Sequence, residues 1–360
     1  VSGRNVVVSG IGVVSPLAAN ARDHYARYRR GESGVVARQA DDELAPRWAP
    51  AYEPAMSQSI ANRMLRKLLQ PTAAMAVVAA REALHDAQIG NDADALSSMH
   101  LFLASVSFDV PQSQFVPALE ASIGSDGTFD MTRFATRGIP QIDPLLIVKS
   151  LPNAGLCAIA IEHGVLGPNL NISSGSSGGA QALAMAARAV ACGDADVAMA
   201  GAYDSLLQPE HIVAERLRGR VAAPGEGAIV WILESEERVR ARNVVPYAQV
   251  LAAGDSYDSM RRAASEALRE SGRKPQIVFG DLLGVSEDDE RERELARELL
   301  GSSCIVEGAT AAIGFTGASS ALFSATHAAF SIRESRMRDA LIWRSDGGSR
   351  NVAFVLAALS

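Results

Sequence analysis

The feature that most constrains this chain is the stretch Gly167–Gly179, GPNLNISSGSSGG. Alternating apolar residues, Leu170 and Ile172, run into a turn of small residues, Ser173–Gly179, and an alanine-rich segment with helical composition follows, Gln181–Cys192. A strand, a tight turn and a helix in this order bring a strand end, a helix N-terminus and one side chain to a single point. Glycines at 175, 178 and 179 permit close backbone approach, and free amides at a helix start can hold a developing negative charge. Ser176 is the side chain presented there.

Strands and helices alternate on either side of this turn, which predicts an α/β architecture. Residues 5–14 form a buried strand, and Pro71–Asp86 a helix with apolar residues at helical spacing around Met75, Val78 and Leu84. Further strands are expected at Leu101–Val106, Asn169–Ser174, Asp194–Gly201 and Ala228–Leu233. From Val244 onward the pattern gives a strand at Val244–Ala252, a helix at Ser259–Ser271, a strand at Gln276–Gly280 and a helix at Glu290–Leu300. A helix at Ala318–Ile332 and strands at 340–344 and 351–357 close the chain. No internal repeat is visible in the sequence.

The chain has 360 residues, of which 48% are hydrophobic, enough for a sizeable core in one large or two intimately packed units. A net charge of −7 and the lack of a basic tract argue against nucleic acid as a partner. The most apolar stretches, Ala73–Ala80 and Val197–Ala202, are too short to cross a bilayer. With no signal-like start, and with Cys157, Cys192 and Cys304 scattered without metal-ligand spacing, the expectation is a cytoplasmic protein with no membrane contact and no metal.

Four ordered blocks carry a resemblance. They are NVVVSGIGVVSPL (Asn5–Leu17), HGVLGPN ending at Asn169, ACGDADVAMAGAYD (Ala191–Asp204) and PGEGAIVWILES (Pro224–Ser235). Together they make the chain resemble the β-ketoacyl synthases of the thiolase-like superfamily over most of its length. That resemblance implies two pseudo-duplicated βαβαβ-type halves in a layered αβαβα arrangement, here divided as residues 1–243 and 244–360. It implies no cofactor. The second half is short for the family between Ile332 and Ala340, and the region Ile212–Pro224 is abbreviated too.

The departures from the family pattern matter more than the matches. The resemblance implies a cysteine nucleophile where Ser176 stands, and a first histidine where FGDLLGV (Phe279–Val285) places Asp281. A second histidine is replaced by Gly314 in IGFTGASS (Ile313–Ser320), and a lysine by Ala309. Arg344 and Asp346 of RSDGG take the places of two aromatic residues in a closing loop. Serine needs an adjacent base to attack a thioester, and an aspartate at 281 has the wrong sign to stabilise an enolate oxygen. Condensation by this polypeptide alone is therefore not expected.

Such a chain resembles the chain-length factors of type II polyketide and polyene synthases, which lack the cysteine and pair with an active ketosynthase. The resemblance then implies a heterodimer whose sheets join through Asn169, Leu170, Asn171, Ile172, Ser173 and Ser174, with an acyl carrier protein bound mainly through the partner. It places an acyl tunnel at Phe108, Phe115, Leu145 and Leu146, although these apolar residues could equally be ordinary interface core. Two other functions stay open: acyl transfer or thioester hydrolysis by Ser176 with Asp281 or Asp346, and a purely scaffolding homodimer. The histidines offer no replacement base. His24, His85, His100 and His211 read as scattered and solvated, His163 as a packing residue, and His327 lies helical turns beyond the lost site. The run Glu287–Leu300 reads as a solvated, charge-laced helix face.

Overall fold

A computed structural model describes residues 3–38, 44–53, 59–106, 114–220, 222–346 and 350–359. The elements that build the fold are, in chain order, β1 (Val6–Val14), α1 (Ala21–Arg29), α2 (Pro71–Asp86), β2 (His100–Ala104), α3 (Ala154–His163), β3 (Asn169–Ile172), α4 (Gly178–Cys192), β4 (Val197–Ser205) and β5 (Glu226–Ser235). They continue with β6 (Gln249–Ser256), α5 (Met260–Ser271), β7 (Ile277–Phe279), α6 (Ser286–Leu300), β8 (Ile305–Glu307), α7 (Ser320–Arg333), β9 (Asp339–Ser345) and β10 (Asn351–Ala357).

The strands form one ladder in the order β8-β7-β9-β10-β6-β1-β5-β4-β2-β3. Its first and last five members repeat the same arrangement. In β3-β2-β4-β5-β1 two parallel pairings are followed by two antiparallel ones, and β8-β7-β9-β10-β6 does the same. The duplication that sequence does not display is therefore written in the pairing. Among the described residues, the β1–β6 pairing, Val6 to Val250 and Val7 to Gln249, joins the two sets within the ladder.

Burial on alternating faces turns this ladder into layers. On β5, Ile229, Trp231 and Leu233 face one cluster, while Ala228, Val230 and Ile232 face another. The first cluster holds α4 and α7 between the sheet of β5 and that of β10, where Val352, Phe354 and Leu356 point inward. The second packs α2 and α3 outside the first sheet, and a third packs α5 and α6 outside the other. The result is αβαβα, the thiolase-like arrangement expected from the resemblance. No helix among the described residues is long and apolar enough to cross a membrane.

Close approach makes the layers possible. A Cβ on Gly12 would lie 1.9 Å from the carbonyl oxygen of Ala79, and one on Gly10 2.3 Å from that of Ala83, so β1 and α2 touch backbone to backbone. Several expected boundaries move. The strand expected at Val244–Ala252 begins at Gln249, because Asn243 has a left-handed backbone (φ 55°) and Pro246 has no N–H to give. The helix expected at Glu290 begins at Ser286, the strand expected to reach Ser174 ends at Ile172, and β8 was not anticipated.

Candidate functional site

β3 delivers the chain to a 3-10 turn, Gly175–Ser177, and α4 begins at Gly178. Gly175 holds φ at 55°, a conformation that favours glycine. A second 3-10 turn, Gly317–Ser319, opens α7 with the same φ at Gly317, and a Cβ on Gly179 would lie 2.5 Å from the Ala318 carbonyl oxygen. The two turns thus meet at the middle of the molecule. Asp204, buried at the end of β4, ties down the second turn by accepting the Ala318 N–H at 3.0 Å.

Ser176 sits in the first turn, buried, with its hydroxyl donating to the carbonyl oxygen of Ser345 at 2.6 Å. Ser345 in turn donates its N–H to Asp281 Oδ2 at 3.3 Å. Asp281 Oδ1 lies 2.5 Å from Nη1 of Arg344, whose guanidinium is fully buried. Burial pushes the Asp281 carboxyl up, and the Arg344 charge opposes that shift. The two residues that replace an imidazole and an aromatic ring in the resemblance therefore neutralise each other as a buried ion pair.

Position 314 cannot hold a histidine in this fold. Gly314 adopts φ 71°, and a Cβ there would lie 2.8 Å from the Ala223 carbonyl oxygen and 2.9 Å from Ala49 Cβ. Ala309 is buried at the start of a short helix, Thr310–Ile313, whose Thr310 hydroxyl donates to the Asp281 carbonyl oxygen at 2.9 Å. A cavity of about 450 Å³ opens beside Gly314, lined by Leu206, Ile212, Arg220 and Phe315. Arg220 is held there by Glu215 at 2.5 Å and by the Asp346 carbonyl oxygen at 3.1 Å, with its guanidinium 5.1 Å from the Phe315 ring centre.

Glu292 corrects the reading of Glu287–Leu300 as a wholly solvated face. Its carboxylate turns inward from α6, accepting the N–H of Asp281 at 2.8 Å and of Leu282 at 3.0 Å, and it bonds the Trp343 indole. It fixes the loop that carries Asp281, and burial, reinforced by the nearby Asp281 carboxylate, pushes its carboxyl up to about 7. Only an inward-turned residue in an otherwise charged run would have announced this, and sequence offers no sign of which one turns.

His24 and His327 also differ from expectation. Both are buried, with Nε2 atoms 2.9 Å apart, and Ser15 Oγ lies 2.7 Å from His24 Nδ1. Tyr28 stacks on His327. Burial lowers the His24 imidazole to about 3, and burial together with its neighbour holds His327 well below the ordinary value. Neither is hydrogen-bonded to Ser176 or Asp281, so they supply no base to the turn. His163 is a packing residue near the Val77 carbonyl oxygen. Among the described residues, no group of three His, Cys, Asp or Glu side chains could hold a metal ion.

Of the residues placed at a tunnel, Phe108 lies outside the described residues. Phe115 precedes a helix at Val116–Glu120 and is half-buried, Leu145 is 46% exposed, and Leu146 is buried. Asn169 and Leu170 lie exposed on β3, which is bonded to β2 on one side and is the last strand of the ladder.

Residues 3–226 match the family described as Beta-ketoacyl synthase, N-terminal domain. A Streptomyces coelicolor protein assigned as polyketide beta-ketoacyl synthase 2 is 27% identical over 334 residues, covering 83% of this chain and 75% of that protein. The 3-oxoacyl-[acyl-carrier-protein] synthase 2 of Rhizobium meliloti is 27% identical over 293 residues, 72% of this chain and 66% of its own length. Among solved structures, the ishigamide ketosynthase/chain length factor superposes with a TM-score of 0.84 at 17% identity, covering 99% of this chain and 100% of that one. A type II polyketide synthase acyl-carrier protein in complex with its ketosynthase gives 0.82 at 18%, with coverage of 99% and 100%. The doubled β3-β2-β4-β5-β1 order, the paired turns and the matched residues agree, and the chain belongs to the β-ketoacyl synthase family.

Proposed function

We propose that this chain is a non-catalytic chain-length subunit, with halves at 1–243 and 244–360, that pairs with a cysteine-bearing ketosynthase in type II polyketide synthesis of the reduced or polyene kind. The observation that carries this reading is the Ser176 hydroxyl, which donates to the Ser345 carbonyl oxygen and, among the described residues, to no imidazole or carboxylate. A carbonyl oxygen cannot take up the hydroxyl proton, so the group stays a weak nucleophile. Asp281 stands where the family pattern has its first imidazole and is paired with Arg344, and Gly314 stands where it has the second. The names of the relatives, a polyketide synthase and a ketosynthase/chain length factor, supply the pathway class.

The surface supports a partner. β3 ends the ladder with one edge unpaired among the described residues, Leu170 on it is 42% exposed, and Leu166 before it is 79% exposed. Met185 on α4, which packs against β3, is exposed as well. An open apolar strand edge invites pairing. We assign Asn169–Ser174 to the joint with the ketosynthase, Phe108, Phe115, Leu145 and Leu146 to an acyl tunnel that crosses it, and carrier-protein docking mainly to the partner.

Co-purification tests the pairing. Leu170→Asp puts a charge into the joint and is expected to abolish recovery of the ketosynthase with this chain, while the circular dichroism and melting temperature of the isolated chain stay near wild type. A wild-type chain that remains monomeric in the presence of a co-expressed ketosynthase would overturn the proposal.

A further inference from the structure

A concave bowl of about 640 Å³ opens between α1 and the C-terminal end of α7, remote in sequence from the Ser176 turn. Its floor is apolar: Tyr25, Tyr247 and Phe330 are nearly buried, and both tyrosine rings lie 4.8 Å from the ring of Phe330. The phenol groups are already engaged, Tyr25 with Ser331 at 3.0 Å and Tyr247 with Asp86 at 2.8 Å. What the bowl offers a ligand is therefore its rim.

That rim is strongly cationic for a chain of net charge −7. Arg22, Arg29, Arg30 and Arg333 line it against one carboxylate, Glu334. Arg29 is paired with Glu334 at 3.3 Å and Arg30 with Glu32 at 2.7 Å. Arg22 and Arg333 have no ion pair among the described residues, and Arg333 instead stacks over Tyr247, 4.2 Å from the ring centre. Stacking on a ring holds a guanidinium in place and leaves its N–H fork free. Guanidinium forks match phosphate oxygens two at a time, and two guanidiniums without an ion pair on the rim of one bowl, Arg22 and Arg333, suit a multiply charged anion better than a single carboxylate.

From this geometry we infer that the bowl is a binding site for a diphosphoryl group, carried by a small molecule that fits a cavity of this size. The site is independent of the turn at Ser176 and of the pairing proposed above. Volume and concavity fall within the usual range for small ligands, about 300–1,000 Å³.

Isothermal titration of the full chain at low salt tests the assignment, with inorganic pyrophosphate and ADP as probes. Both are expected to bind. Equal affinity would place recognition in the diphosphate alone, and a tighter ADP would add a contribution from the apolar floor; either outcome supports the site. Arg22→Glu and Arg333→Glu are each expected to weaken binding by about tenfold or more, whereas Arg262→Glu, an exposed change on α5, leaves it unchanged. Should Arg333→Glu fail to fold, Arg22→Glu carries the test alone. Absence of binding at millimolar probe, or an equal loss in Arg262→Glu, overturns the assignment.

Discussion

As the pH is lowered from 7, the protein is expected to hold or gain stability down to about pH 4.5 and then to lose it steeply. Two sets of buried groups work against each other. His24, lowered to about 3, and His327, held well below its ordinary value, remain neutral in the folded chain but take up protons when it unfolds. The stability they contribute is present above about pH 6.5 and is lost as pH falls, by about 1.4 kcal/mol per pH unit for each. Glu82 and Glu292, both raised to about 7 by burial, have the opposite sign. Their contribution is complete below about pH 4.5 and disappears as pH rises through 7. Between these limits the carboxyls offset the histidines, and below them only the histidine loss remains. Aspartates held low by hydrogen bonds, such as Asp92 and Asp143, add to that loss. Urea midpoints measured at half-unit intervals from pH 7.5 to 3.5 check this, and a loss that begins at pH 6.5 would contradict it.

Gly12→Ala is expected to prevent stable folding. The added methyl would enter the Ala79 carbonyl at 1.9 Å, against helix backbone rather than a movable side chain. Overpacking a core ordinarily costs about 1–3 kcal/mol, and separating β1 from α2 along its length should exceed that range, a large share of the stability of any domain. Gly219→Ala, where no atom lies within 4 Å but φ is 77°, is the control and should cost only about 1 kcal/mol. Soluble yield and melting temperature separate the two; a Gly12→Ala protein that melts within a few degrees of wild type would show that the layers can part.

Much of the architecture was legible because it depends on local pattern. Apolar alternation announced β3, a continuous apolar run announced β5, small residues announced the turn at Ser176, and helical spacing announced α2. Elements shaped by distant partners were not. β8 is three residues long and exists because β7 bonds it. Val244 and Val245 look like a strand, yet Pro246 and the left-handed Asn243 delay it to Gln249. At the candidate site, the loss of cysteine and histidines could be read position by position, but not what replaced them. The pairing of Asp281 with Arg344 spans β7 to β9, and the inward turn of Glu292 spans α6 to the same loop. His24 looked solvated because its partner, His327, lies at the other end of the chain.

The central claim is that chemistry belongs to the partner and not to this chain. The direct measurement is product formation by the reconstituted pair, with Ser176→Ala in this chain and, separately, the nucleophilic cysteine of the ketosynthase changed to alanine. Ser176→Ala should leave the rate within about twofold, since a serine without a base contributes little, and the cysteine variant should be inactive. A loss of about a hundredfold or more in Ser176→Ala, the size expected for removal of a working catalytic group, or an acyl adduct on Ser176 by mass spectrometry, would contradict the non-catalytic role.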